Sequence, residues 1–217
     1  FELGSERLGK RPLRLEGKPD VVFLVRDQLF KDLSTDPWKY RKKQLLSIQR
    51  DSIQTVSLRA AAAQAGPGVA DREVVLSKID GYWRMGDATG EFATEGQIDE
   101  LVTDAFALQA SGVEVEAPTP EDLTRLGLAP ARTTLKLAAK DGGASDTVEL
   151  GLPVEGAPDQ RYARVAGRAP VLKVDVKTLA AELERPVEGW RSDALLNVRG
   201  SAATLTGFAV SFADGRQ

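Results

Sequence analysis

A serine beside a lysine is the one nucleophile arrangement open to this chain, because it contains no histidine and no cysteine. Without those residue types there are no Ser-His relays, no thiolates and no disulfides, and the usual zinc, copper and haem ligand sets are missing. Ser77-Lys78 supplies the pairing in sequence, but neighbours along a strand point to opposite faces, so the two side chains are not expected to meet. Glu114, Glu116, Glu121 and Asp122 are the candidates for a glycosidase carboxylate pair. Glu114 and Glu116 fall on one face of a short strand, which is the pattern of an ordinary solvated strand face. The segment Asp141-Gly142-Gly143-Ala144-Ser145-Asp146 offers two carboxylates to a cation such as calcium. It lacks the spacing and closing glutamate of an EF-hand and reads as a hairpin turn. Phosphate-binding Gly-x-x-x-x-Gly-Lys-Ser/Thr, dinucleotide-binding Gly-x-Gly-x-x-Gly and Gly-x-Ser-x-Gly are all missing. We therefore expect a protein that is not an enzyme, with no catalytic, cofactor-binding or metal-binding residue and no cofactor; no motif marks its binding residues.

These residues sit in 217 positions with 42% apolar content, enough for one ordinary domain or two small ones with a buried core. The 29 Lys and Arg nearly balance the 32 Asp and Glu, a net charge of -3, which argues against a general nucleic-acid binder. Charge is uneven, however: residues 1–50 hold 12 basic and 7 acidic side chains, with dense spots at Lys10, Arg11, Arg14 and at Arg41, Lys42, Lys43. Such a patch reads as a solvated face or a mate for the acidic remainder, with an anionic partner as the alternative. No stretch approaches the ~18 to 20 consecutive apolar residues of a membrane span. The opening Phe1-Glu2-Leu3-Gly4 reads like mid-domain sequence.

Periodicity and turn residues place the elements. Ile53 to Leu58 and Arg72 to Ile79 read as strands separated by a Gly/Ala-rich turn at 60–68. Asp80-Gly81 before Tyr82-Trp83-Arg84-Met85 is a strong hairpin signal, with Trp83 facing the core. Thr94, three residues before Gln97, should cap a helix whose Ile98, Leu101, Val102, Ala105 and Leu108 recur at helical spacing, with Gly112 just beyond its end. Val113 to Ala117 reads as a short strand. Thr119-Pro120-Glu121-Asp122-Leu123 opens a two-turn helix that stops at Gly127. Thr133 to Ala139 and Asp146 to Leu150 form one hairpin about Lys140-Asp141-Gly142-Gly143; Arg161 to Ala166 and Pro170 to Asp175 form another about Gly167. Asp175 or a neighbour should cap a helix carrying Leu179 and Leu183. The resulting class is α+β, a mainly antiparallel sheet with a few inserted helices.

The chain also resembles itself. At an offset of 150, Gly17 to Leu58 aligns without a gap on Gly167 to Phe208, pairing Gly17 with Gly167, Val21 with Val171, Leu29 and Leu33 with Leu179 and Leu183, Arg41 with Arg191, and Leu45-Leu46 with Leu195-Leu196. Leu24 with Val174 and Tyr40 with Trp190 are conservative pairs, and Glu2-Leu3-Gly4 matches Glu149-Leu150-Gly151 at offset 147. A period this long means tandem domains and not a solenoid. Residues 1–39 are then the C-terminal part of a preceding unit, 40–184 a complete unit, and 185–217 the N-terminal part of a following one, a window cut across an array; alternatively 185–217 and 1–39 pair to complete a second domain. Arg41 and Arg191, each after an aromatic residue and four before Leu-Leu, read as structural, closing a helix-sheet junction, with partner contact as the alternative.

Glu149-Leu150-Gly151, Arg161-Tyr162-Ala163-Arg164-Val165-x-Gly167, Val171 to Val174, the Leu179 to Leu183 helix, Trp190-Arg191 and Leu195-Leu196 together resemble the bacterial family catalogued as domain of unknown function 4340. Gly81-Tyr82-Trp83, the Ile98 to Leu108 helix, Leu126-Gly127-Leu128-Ala129-Pro130 and Leu135-Lys136-Leu137 follow the same style. The resemblance implies a repeated domain held outside the cytoplasm (periplasmic) by a single N-terminal membrane anchor that this piece lacks. It also implies a setting beside ABC transporters of the gliding-motility type. The expected function is a non-enzymatic extracytoplasmic protein-protein interaction module, an accessory of such a complex, with ABC permease or ATPase subunits as partners and no nucleic acid. The alternatives are a module binding cell-wall glycan or an anionic ligand and, behind it, a carboxylate-based glycan hydrolase.

Overall fold

The computed structural model describes residues 2–5, 7–28, 37–61, 71–87, 89–140 and 143–193. The chain divides into two compact units, Phe1–Lys43 and Gln44–Gln217. Leu29 and Leu33, the Gly/Ala-rich turn from residue 62, Asp141-Gly142, and the expected following unit from residue 194 onward, Leu195-Leu196 included, lie outside the described residues.

In the first unit, β1 (Glu2–Leu3), β2 (Lys10–Leu15) and β3 (Lys18–Arg26) make an antiparallel sheet in that order. The register sets Glu2 opposite Arg14 and Leu3 opposite Leu13, and Arg14 in turn opposite Val22. Asp27 is buried and accepts a hydrogen bond from Arg11 Nε, while its own N–H donates to Gly9 O (2.8 Å). A single 3-10 turn follows at Pro37–Tyr40.

The second unit strings β4 (Ile53–Ala60), β5 (Arg72–Ile79), β6 (Tyr82–Met85), α1 (Glu95–Ala107), β7 (Ala110–Val115), α2 (Pro120–Arg125), β8 (Thr133–Ala139), β9 (Ser145–Val154), β10 (Ala157–Val165), β11 (Val171–Asp175) and α3 (Ala180–Glu184). The strands form one sheet in the order β6-β5-β4-β8-β9-β10-β11-β7, every pair antiparallel. An α+β domain built mainly on antiparallel sheet is therefore the architecture. Along β4, β5, β8 and β9 alternate residues turn inward: Val56, Leu58, Val74, Leu76, Leu135, Leu137, Val148 and Leu150 are all buried. Trp83 joins them on β6, and α1 contributes Ile98, Leu101, Val102 and Ala105. A smaller cluster of Leu126, Leu128 and Val171, with Val115, Leu123 and Tyr162 against it, closes the β7 end.

Local chemistry explains several of these elements. Asp80 and Gly81 both take positive φ (51° and 83°), the backbone a two-residue hairpin needs to match strand twist. At α2, the Thr119 hydroxyl accepts from Asp122 N while the Asp122 carboxylate accepts from Thr119 N, a complete capping box with Pro120 next in line. Thr94 does stand at the N-cap of α1, but without the expected side-chain cap: its hydroxyl donates to Arg191 O (3.0 Å) and its N–H to Trp190 O (2.9 Å). A tertiary partner has outcompeted the local one. Likewise Asp175 accepts from Lys177 N (2.9 Å) in a local turn, and Leu179 occupies the N-cap of α3. Gly112 lies inside β7, because α1 ends at Ala107 with Leu108 already extended.

Gly151 on β9 permits a close crossing. Its neighbour Leu152 donates to Leu126 O (2.9 Å), and a Cβ at 151 would overlap that carbonyl and approach Leu128 Cγ at 3.1 Å. Gly151→Ala is expected to cost about 2 kcal/mol, the scale of overpacking against backbone. Gly112→Ala, where nothing stands within 4 Å, should stay within about 0.5 kcal/mol. Urea denaturation followed by far-UV circular dichroism compares the two; equal midpoints would refute the crowding.

Candidate functional site

Ser77 and Lys78 are separated, Glu114, Asp122 and Asp146 are committed to structural contacts, and Glu121 stands in the first turn of α2. Ser77 stands opposite Arg84 and Lys78 opposite Trp83 in the β5–β6 ladder, so they lie on opposite faces; Lys78 Nζ sits 6.0 Å from the centre of the buried Trp83 ring. Glu114 is paired with Lys173 (2.8 Å), which raises the lysine pKa through that hydrogen bond. Glu116 falls just past the end of β7. Asp122 is held by Arg125 (3.0 Å) and by Thr119, and its carboxyl sits below the usual range for those reasons. Asp146 is buried and accepts from Ser47 N, from Ile48 N (2.7 Å) and from Ser47 Oγ (3.0 Å). Among the described residues no group of three or more His, Cys, Asp or Glu could hold a metal ion. Arg191 pairs with Glu91 through its Nε, and its backbone bridges Ala93.

What the sequence did not single out is the outward face of β5, β4, β8 and β9. Register alone assembles it. Ser77, Thr55, Ala138 and Ser145 stand in one transverse row, and Val75, Ser57, Lys136 and Thr147 in the next. Thr55, Ser57, Ser77, Ser145, Lys136 and Lys140 are among the residues that line an open cleft of about 510 Å³. No carboxylate is among the described residues that line it. One row further, charges are already matched: Arg164 binds Glu149 (2.6 Å), and Arg59 approaches Asp71 (3.9 Å). Among the described residues the cleft is thus the part of the sheet face where hydroxyls and ammonium groups accumulate with no acidic residue in the lining. Its trace in the sequence is slight: Thr55 and Ser57 about Val56, and Lys136 between Leu135 and Leu137. Nothing in one strand says which strand lies beside it.

A second polar cluster lies on the opposite, buried side. Arg72 donates from Nη1 to Glu184 O (2.6 Å) and from Nη2 to Leu183 O (2.9 Å), satisfying carbonyls at the C-terminus of α3. Glu182, buried, is 3.7 Å from Arg185 Nη2, and that guanidinium stacks 5.1 Å from the Trp190 ring centre. The adjoining cavity, between Leu58, Val74, Leu183 and Val187, measures about 10 Å³. One water needs at least that much, so this is packing and not a ligand site.

No helix among the described residues is long and apolar enough to cross a membrane. The model of a family described as "Domain of unknown function (DUF4340)" matches residues 83–217, more than half of the chain. No curated protein matches the chain, and no solved structure does.

Proposed function

The chain belongs to the DUF4340 family, and from that premise we propose that it is a tandem-repeat, extracytoplasmic interaction module, non-enzymatic, serving an ABC transport complex as an accessory. The observation that carries the repeat is the register of its strands. Glu2 faces Arg14 and Leu3 faces Leu13 across β1–β2, while their alignment mates pair identically across β9–β10, Glu149 with Arg164 and Leu150 with Ala163. Single 3-10 turns at Pro37–Tyr40 and Val187–Trp190 occupy the same place in the two copies. Residues 1–39 then represent the end of one unit and 40–184 a whole one, with 185–217 opening the next.

The copies differ where surfaces matter. Val171 and Val174 on β11 are 0% exposed, but their mates Val21 and Leu24 on β3 are 44% and 69% exposed. In the second unit β11 is paired on both edges, by β10 and β7, whereas among the described residues β3 pairs only with β2. An apolar strand with an open edge accepts another strand by main-chain hydrogen bonding. Repetition, ionised groups spent on internal pairing and an apolar strand of this kind support a protein that acts through its surfaces, and the family resemblance supplies the transporter setting. The test is a cross-linking pull-down of the full-length, anchored protein from its own membranes, read by mass spectrometry. Recovery of an ABC permease or ATPase is the expected result. Recovery of cell-wall fragments alone overturns it in favour of the anionic-ligand or glycan module, the second reading, which the hydroxyl and lysine cleft favours.

A further inference from the structure

We propose that the open face of β5, β4, β8 and β9 binds the phosphate ester of a polyol, with Lys136 pairing the phosphate and the hydroxyls of Ser57, Thr55 and Ser77 holding the remaining oxygens. The proposal deepens the second reading above and is independent of the transporter reading, since a titration reads a small ligand and the pull-down a protein partner.

The chemistry of the lining selects the ligand. Ammonium groups only donate hydrogen bonds, and serine and threonine hydroxyls donate readily to an anion. With no carboxylate among the described residues of the lining, the cleft offers donors and positive charge to a group rich in acceptors, which is the description of a phosphate. Among the described residues no acid forms a salt bridge with Lys136, although Arg164 and Arg59 on the same face are each paired with an acid. The register sets Ser57 directly opposite Lys136 across β4–β8 and Thr55 directly opposite Ser77 across β4–β5. Side chains opposite one another in a ladder are ~5 Å apart at Cβ, so a lysine and its facing serine reach one tetrahedral anion together. A volume of about 510 Å³ exceeds a bare phosphate and lies in the usual range for small-ligand clefts, which leaves room for the polyol beside it. Hydroxyl groups of the polyol meet Ser77 and Ser145, both able to accept as well as donate.

Glycerol 3-phosphate is the probe, glycerol the control, and amide chemical shifts of the 15N-labelled chain the readout. Glycerol 3-phosphate should move the Ser57, Ser77, Lys136 and Ser145 amides in a saturable way, and glycerol should not. Lys136→Glu should weaken binding by at least about tenfold, Lys136→Arg should retain it, and Lys177→Glu, an exposed lysine elsewhere, should leave it unchanged. Because Lys136 is exposed, all three variants are expected to fold. Vesicles of phosphatidylglycerol distinguish the sources: sedimentation that Lys136→Glu abolishes assigns the ester to a lipid headgroup, and shifts with glycerol 3-phosphate alone assign a soluble or polymeric ester. No site-specific shift with either probe, equal shifts with glycerol, or indifference to Lys136→Glu overturns the proposal.

Discussion

Trp190→Ala should cost the second unit about 3–5 kcal/mol, while Tyr40→Ala, at the matching position of the first unit, should change stability by no more than about 0.5 kcal/mol. Each aromatic closes a 3-10 turn, yet Trp190 is 0% exposed and Tyr40 60%. Removing the indole leaves a cavity in the core. It also frees a segment whose backbone pins the start of α1, for Trp190 O accepts from Thr94 N and Ser192 N donates to Phe92 O (2.8 Å). Arg185, stacked on the ring, loses its cation-π partner at the same time. Against a whole-domain stability of ~5–15 kcal/mol, such a loss approaches the unfolding limit. Trp190→Phe, which keeps an aromatic plug, gives a measurable intermediate if the alanine variant does not fold. Urea titrations by circular dichroism provide the comparison, and a Trp190→Ala variant no less stable than Tyr40→Ala would refute the assignment of this indole to the core.

That contrast also marks how far the sequence reaches. Elements whose signals are local were legible: Asp80-Gly81 supplies both positive φ angles of its hairpin, and Thr119, Pro120 and Asp122 build their cap within four residues. The Thr94 cap was not, since the hydroxyl that should have served α1 bonds Arg191 O, 97 positions away, and no window of sequence contains that competitor. Gly112 misled for a related reason. A glycine after a helical run suggests a stop, but the helix had already ended at Ala107 and the glycine lies within β7. The candidate carboxylates were visible as residues, but their pairing with Lys173, Arg125 and the Ser47–Ile48 backbone was not. The cleft is the extreme case, because Thr55, Ser77, Lys136 and Ser145 come from four strands and only the ladder registers bring them to one face.

Asp146→Ala is expected to destabilise the second unit by about 3 kcal/mol or more at neutral pH, and the part of the effect that depends on the carboxylate's charge should be lost in acid. The carboxylate is 7% exposed, stands opposite Leu137 on the inward face, and accepts the N–H groups of Ser47 and Ile48 together with the Ser47 hydroxyl. Burial raises its pKa, but those donors, with the Arg168 charge nearby, outweigh burial and leave it below the ordinary aspartate value. A folded pKa below the unfolded one means that the stabilisation is complete above the unfolded value of ~3.9 and is lost as pH falls through the folded value. The difference between wild type and variant should accordingly be constant from neutral pH down to about 5 and shrink below about 4. Asp146→Asn, similar in shape but neutral and carrying its own donors, should lose about 2 kcal/mol, as expected when a buried N–H loses a charged acceptor. The carboxylate also holds a segment in place: Leu45, Leu46 and Ile48, exposed by 1%, 2% and 5%, are buried on either side of Ser47. Their burial depends on Ser47 staying against β9, so the alanine variant should lose part of that apolar packing as well as the hydrogen bonds, and amide exchange at 45–48 should accelerate. Slow exchange there in Asp146→Ala would show that apolar packing alone anchors the segment, and a wild type-variant difference unchanged at about pH 3 would show that charge on Asp146 plays no part.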